Sequence, residues 1–382
     1  MDNILKNIKG DRWIWICIVA LSLISALAVY SSTKTLAYSS QNINTISYLL
    51  KHLVHISLGL VFVFICHKIN FKYYFNISRI LLLIAIPALI YTMINGVNIN
   101  SAQRWITIPI FKFSFQVSDL AKLAMIMYTA SILPKKQHIL DSFKEAFLPI
   151  FVPLCIICAL IVPSDFSTAA LIFITCYMLM FIGRIKTKHL VAGVGIAFIG
   201  ILFYVSVATL TGKTGRIATW KNRIESYVNN DEPQNNWQVT QANIAIAESD
   251  LLFGKGPGRS TQSDYLPSPY ADYIYVIIIE EYGLLLGGGG VLAIYLILLF
   301  RSIQIFTKTP KAFGALLAVG LVFSIVLQAF INMAVNVGLL PVTGLVLPFI
   351  SRGGTSLIFS GIALGIVLSV SKEIENDKME IA

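Results

Sequence analysis

Ten apolar runs set the rhythm of the chain. They cover roughly residues 13–32, 48–67, 78–96, 117–134, 147–163, 166–183, 189–209, 272–300, 314–333 and 354–371, and are rich in Leu, Ile, Val, Phe and Ala. None alternates apolar and polar residues at every second position, so the runs predict helices rather than the strands of a membrane barrel. Most approach the ~20 residues that a helix needs to cross a bilayer core. The pattern predicts an all-α polytopic membrane protein of about ten transmembrane helices, one domain over residues 1–382. Trp13 to Tyr30 lacks a small-residue cleavage site and is kept as the first helix. A count of nine, with the last run re-entrant, is the runner-up.

Charge then gives direction. Lys6, Lys9, Arg12, Lys68, Lys72, Arg79, Lys135, Lys136 and Lys144 fall on one side, with Arg184, Lys186, Lys188, Arg301, Lys308, Lys311, Lys372 and Lys378. The positive-inside rule makes that side cytoplasmic, with both termini on it and 372–382 a short charged, disordered tail. The exception is a large extracytoplasmic loop, about 210–271, between the seventh and eighth helices. Long loops escape the charge rule, and one of this length is expected to be functional. Within it, "QNNWQVTQANIAIAES" (Gln234–Ser249) reads as an amphipathic helix and "FGKGPGRSTQ" (Phe253–Gln262) as a flexible cationic turn.

Composition agrees. The chain is 56% hydrophobic and 13% charged, with mean hydropathy +0.76. A net charge of +10 raises nucleic acid as a partner. The cations lie between helices rather than along one stripe, so topology explains them and no nucleic acid is expected. The five cysteines all lie in apolar runs and read as small hydrophobes. His52 and His55 sit one helical turn apart with no third ligand, so no metal site is assigned to them.

Four polar clusters carry the candidate chemistry. The first, Asn100–Lys122, places Arg104, Trp105 and Lys112 in an outer loop, then Asp119 and Lys122 three apart at a helix start, where they can pair. An interfacial aromatic anchor with a neutralised helix start is the alternative. In the second, "VPSDFSTAA", Asp165 either meets substrate or caps the next helix. The third is the long loop's cationic set: Lys213, Arg216, Lys221, Arg223, Lys255 and Arg259. Arginine forks and glycine-flanked N–H groups suit phosphate or pyrophosphate, and a solvated surface is the alternative. Gly254-x-Gly256-x-Gly258 follows no strand and is weak as a nucleotide fingerprint.

The fourth cluster is "YADYIYVIIIEEYG". Asp272 stands at the mouth of a membrane helix, as a functional acid or as an N-cap. Glu280 and Glu281 lie about two turns further in, roughly 12 Å from Asp272 along the axis. Acids at that depth need basic partners, and Lys122 and Arg352 are the candidates. "LLPVTGLVLPFISRGGTS" (Leu339–Ser356) holds two prolines and three glycines, so it cannot be a straight lipid-exposed helix. It is expected to line the same cavity, with Ser351 and Arg352. Gly287–Gly290 suggests close helix–helix contact.

Taken in order, these segments resemble the SEDS family of bacterial cell-wall proteins, FtsW and RodA. Ala102-Gln103-Arg104-Trp105 resembles Gly-Ala-x-Arg-Trp, and Phe115–Asp119 with Lys122 resembles Phe-Gln-Pro-Ser-Glu followed by Lys. Ser164–Thr168 resembles Pro-Asp-x-Gly-Thr, and Leu266–Tyr273 resembles Leu-Pro-Glu-x-x-Thr-Asp-Phe, with Ser268 in place of Glu and Ala271 in place of Thr. Gly338–Gly344 and Leu347–Ser356 are similar to the family signature over their whole length. Gly254–Gly258, with the basic Arg352 before Gly353, resembles the FtsW branch of the Bacteroidetes type, and RodA shares most of these motifs.

The resemblance implies a peptidoglycan glycan-strand polymerase of the bacterial cytoplasmic membrane. It would use lipid II at the outer face, release undecaprenyl pyrophosphate and serve cell division. Its implied partners are a class B penicillin-binding protein and other divisome membrane proteins. The catalytic aspartate corresponds to Asp272, expected as the general base for the acceptor hydroxyl. Arg104, Lys112, Lys122, Arg216 and Arg223 are expected at the diphosphate, with Trp105, Asp119 and Asp165 nearby. Glu280, Glu281, Ser351 and Arg352 would hold the cavity. Inversion at the sugar carbon is expected. No cofactor is certain; a divalent metal, Mg or Mn, could assist. A lipid II flippase, a non-catalytic division scaffold and a RodA-like elongation polymerase are the alternatives.

Overall fold

A computed structural model gives the fold. It describes residues 9–33, 45–99, 102–108, 113–137, 139, 141–210, 215–228 and 237–381. In chain order the helices are α1 (Arg12–Ser32), α2 (Thr45–Lys68), α3 (Phe71–Asn95), α4 (Val117–Lys135), α5 (Leu148–Ile161), α6 (Phe166–Ile182) and α7 (Thr187–Leu210). After them come α8 (Gly215–Val228), α9 (Trp237–Ala247), α10 (Ile274–Tyr282), α11 (Gly290–Lys308), α12 (Ala312–Asn336) and α13 (Gly354–Ile381). Every one of the expected apolar runs is helical. Eight helical segments among the described residues are long and apolar enough to cross a membrane. α7 shows why a bilayer is needed: Val191, Phe198, Ile199, Phe203 and Leu210 are exposed, and of the helix only Leu190, Gly193 and Ala208 are buried.

Two features depart from expectation: a sheet where an all-α chain was expected to have only an outer loop, at 97–116, and a break in the single run expected at 272–300. Strands β1 (Val97–Ile99), β2 (Ala102–Ile108) and β3 (Phe113–Gln116) form a small antiparallel sheet, with Trp105 opposite both Val97 and Gln116. Phe111, Phe113 and Phe115 recur at every second position, the strand period. The run 272–300 is not one helix. α10 stops after nine residues at Gly283, whose φ of 85° and ψ of 163° leave the helical path. A π turn (Gly283–Gly289) then leads into α11. The turn brings Gly287 against Ile278, where a Cβ would lie 2.5 Å from the Ile278 carbonyl oxygen. In a straight helix those residues are about 13 Å apart. Gly287 and Gly288 therefore fold their own segment back onto α10 rather than admit another helix. α11 alone, at 19 residues, is about 28 Å long.

The chain forms two compact units. The first comprises 1–69, 226–308 and 325–382. In it α2 and α13 approach closely: a Cβ at Gly361 would meet Gly59 O at 2.5 Å, and one at Gly365 would meet Val63 O at 2.5 Å. One end of this unit gathers cations and caps. Asp11 caps α1 through Trp13 N and Ile14 N and takes a two-pronged bond from Arg301. Gly10 N donates to Glu375 Oε2, and Ser369 Oγ donates to Ile69 O. The charge pattern grouped these ends on one face, and the structure brings them together.

The second unit comprises 70–225 and 309–324. Its sheet hands directly into α4. Leu179 of α6 receives Gly320, and Phe71 and Phe75 pack on Phe313. Trp220 anchors α8, a helix not expected from the sequence, on Phe166 and Tyr204.

Candidate functional site

α10 organises the first unit's polar residues, and each of its ends is held differently. At the N-terminal end the chain enters through Leu266–Tyr273 with Ser268 at φ 56°. The cap position is Tyr273, and no side chain caps it, so Asp272 is not the N-cap. Three successive carbonyls of this turn are captured from outside. Tyr270 O accepts from Arg352 N at 2.9 Å, and Ala271 O accepts from Ser351 Oγ at 2.6 Å. Asp272 O accepts from Asn332 Nδ2 at 2.9 Å and Asn336 Nδ2 at 2.8 Å. These hydrogen bonds fix the backbone through its oxygens. The half-buried Asp272 carboxylate faces Gly344, where a Cβ would lie 3.8 Å from Oδ2. At φ 73°, Gly344 adopts a backbone that side chains resist.

The stretch after α12 is non-helical, as expected, largely buried from Leu345 to Ser351, and side chains satisfy carbonyls within it. Gln328 Nε2 donates to Val346 O, Asn332 Nδ2 to Leu345 O, Tyr295 Oη to Pro348 O and Ser25 Oγ to Ile350 O. His52, buried, meets Ser25 Oγ at 2.8 Å. Irregular backbone at bilayer depth is tolerated only with such partners. Gln328, Asn332 and Asn336 are spaced by four, one face of α12. That ladder of amides was overlooked in the sequence, although three amides at helical spacing in an apolar helix are a legible signal.

At its C-terminal end α10 is held by the cationic turn. Lys255 N and Gly256 N donate to the carbonyls of Glu280 and Glu281, completing the helix end. Glu280 Oε1 accepts from Lys255 Nζ at 2.8 Å and from Thr261 N and Oγ1, each at 2.9 Å; Oε2 accepts from Ser260 Oγ. Glu281 Oε1 accepts from Gly258 N, Ser260 N and Ser31 Oγ. The expected anion-binding turn therefore exists, and its anions are the chain's own carboxylates. This corrects the pairing with Lys122 or Arg352: the base is Lys255, from the loop. It also corrects the depth. Glu281 meets Ser31, about 30 Å along α1 from Asp11, while Asp272 meets the last turn of α12. Both ends of α10 thus lie at the far ends of the helices they touch.

The other expected residues belong to the second unit. Lys122 pairs with Asp119 at 3.4 Å, both largely buried. Asp165 caps α6, accepting from Thr168 N at 3.1 Å and Thr168 Oγ1 at 2.7 Å, so the structure gives its carboxylate a capping role. Arg104 lies on β2 beside Trp105. Arg216 and Arg223 lie two turns apart on one face of α8. Lys112 lies outside the described residues. Among the described residues no group of three His, Cys, Asp or Glu is placed to hold a metal.

These observations define a multi-pass helical membrane protein with an acid held rigidly at a helix mouth. Residues 11–376 match the FtsW, RodA and SpoVE family described as cell cycle proteins, and the chain belongs to that family. It is 31% identical over 379 residues to stage V sporulation protein E of Bacillus subtilis, covering 96% of this chain and 98% of that one. It is also 31% identical over 379 residues to a probable peptidoglycan glycosyltransferase FtsW of Coxiella burnetii, covering 96% and 97%. The fold is similar to a chain of a peptidoglycan synthase complex that coordinates polymerization and crosslinking, with TM-score 0.75, 22% identity and 96% and 98% coverage. It is also similar to rod shape determining protein RodA of Thermus thermophilus, with TM-score 0.67, 21% identity and 95% and 97% coverage.

Proposed function

We propose that the chain is a peptidoglycan glycosyltransferase that polymerises lipid II. The observation that carries this reading is the Asp272 turn, whose backbone is fixed while its carboxylate faces a glycine. The family relatives named as peptidoglycan glycosyltransferases support it. In the proposed step the acceptor sugar's hydroxyl oxygen attacks the anomeric carbon of the donor. Asp272 takes the hydroxyl proton, the bond to the lipid diphosphate breaks, and its electron pair leaves with undecaprenyl pyrophosphate. One carboxylate acting as base in a single displacement inverts that carbon.

The basic end of the first unit is assigned to the cytoplasm and Asp272 to the outer face, because the cations gather there. We assign the role to cell division, in complex with a class B penicillin-binding protein and other divisome proteins. A divalent cation, Mg or Mn, belongs to the reading as a ligand of the substrate diphosphate. Chelation and back-titration test it.

The test is lipid II polymerisation by the purified complex, wild type against Asp272→Ala. Glycan formed at the wild-type rate by the variant would sink the assignment. Movement of labelled lipid II across vesicles without polymer would favour a flippase instead.

A further inference from the structure

We propose that Arg352 binds a phosphate-class oxyanion beside Asp272, the diphosphate of the lipid-linked substrate. This deepens the reading above and rests on it. The Arg352 guanidinium lies 4.7 Å from the Tyr48 ring centroid and 5.3 Å from that of Tyr270. The two rings cover guanidinium surface by cation–π contact, while its N–H donors lie in its own plane. Three other half-buried cations among the described residues have a carboxylate partner: Lys122 has Asp119, Lys255 has Glu280, and Arg301 has Asp11. Arg352 is half-buried, yet among the described residues no carboxylate pairs with it and no hydrogen bond engages its guanidinium.

Its place is set by the same bonds that set Asp272. Arg352 N holds Tyr270 O, two residues before the acid, and Ser351 holds Ala271 O. Tyr48, Lys51, His52 and His55 share one face of α2 at helical spacing. A Cβ at Gly354 would lie 3.2 Å from His55 Nε2, so the imidazole lies against the chain two residues after Arg352. A planar fork with covered faces suits the paired oxygens of a phosphate, a geometry that lysine cannot match. It would hold the negative charge that the diphosphate already carries in the bound substrate.

The experiment uses the full chain co-purified with its transpeptidase partner, in nanodiscs of phosphatidylglycerol or of phosphatidylcholine alone. It measures kcat and KM for lipid II, inhibition by inorganic pyrophosphate, and thermal melting. Arg352→Gln is expected to raise KM and weaken pyrophosphate inhibition by about tenfold each in both nanodiscs, with kcat far less changed. Arg352→Lys is expected to fall between. Unchanged KM and inhibition in Arg352→Gln overturn the inference. An effect confined to phosphatidylglycerol overturns it too and assigns Arg352 to a lipid headgroup. If Arg352→Gln loses the wild-type melting transition, Arg352→Lys decides, and unchanged inhibition there overturns the proposal. Asp272→Ala runs in parallel: wild-type kcat in that variant sinks the underlying reading, whatever Arg352 does.

Discussion

The two ends of α10 solve opposite problems with the same kind of bond. At the C-terminal end, backbone N–H groups and one ammonium converge on two carboxylates, and the acids are taken up in structure. At the N-terminal end, amide and hydroxyl donors converge on main-chain carbonyls, and the acid itself is half-buried. Three acids lie close in sequence and are equally apolar in context. The two ends differ in what the neighbouring segments supply: donors to the side-chain oxygens of Glu280 and Glu281 at one end, and donors to the backbone oxygens of 270–272 at the other.

Removing the acid at the N-terminal end should have the largest effect. Asp272→Ala is expected to lower the polymerisation rate by about 10²–10⁴-fold, the span of a lost general base, with melting unchanged. A matching loss of melting would make that end structural and erase the contrast. Next comes its support. Asn332→Ala removes the donor that serves both Asp272 O and Leu345 O and is expected to destabilise the fold by about 1–3 kcal/mol. The rate should fall at temperatures where the variant remains folded, and a wild-type rate there would show that the backbone clamp does not position the acid.

At the C-terminal end, Glu280→Gln should cost stability of a similar size, about 1–3 kcal/mol, yet leave the rate close to wild type. Hydrogen exchange over 254–261 should rise. A rate loss as deep as that of Asp272→Ala would unite the two ends in catalysis. The smallest effect is a titration. Burial works against the charge on Lys255, but hydrogen bonds to Glu248 and Glu280 outweigh it and raise its pKa above the ordinary lysine value. Its contribution is therefore full below the unfolded value of about 10.4 and fades as pH climbs through the raised folded value. Melting followed from pH 7 to 11 should show Glu280→Gln and wild type converging only at the alkaline end.

The helices were legible because hydropathy reports burial in lipid directly, and each of the ten runs is helical. Direction is what hydropathy lacks. "GLLLGGGG" stays apolar through a reversal, so the fold-back at Gly283 was read as one continuing helix. The sheet at 97–116 was hidden by its shortness, although its phenylalanines alternate. At the site, Asp272, Ser351 and Arg352 stood out as polar residues in an apolar chain. The base for Glu280 did not, because Lys255 lies 25 residues away across a loop that carries several equal cations. Asn332 and Asn336 carry no charge and were passed over, yet they hold the acid's backbone.

The bonds at the two ends also differ in how far apart along the chain their partners lie. The C-terminal lock to the cationic turn joins residues 19 to 25 apart. The N-terminal clamp reaches 60 residues ahead to Asn332, 64 to Asn336 and 80 to Ser351. Long-range contacts form late because their loops must close first. During synthesis α10 would dock through its glutamates while the ribosome has yet to deliver the residues that hold Asp272. The geometry around Asp272 is then among the last features the chain acquires.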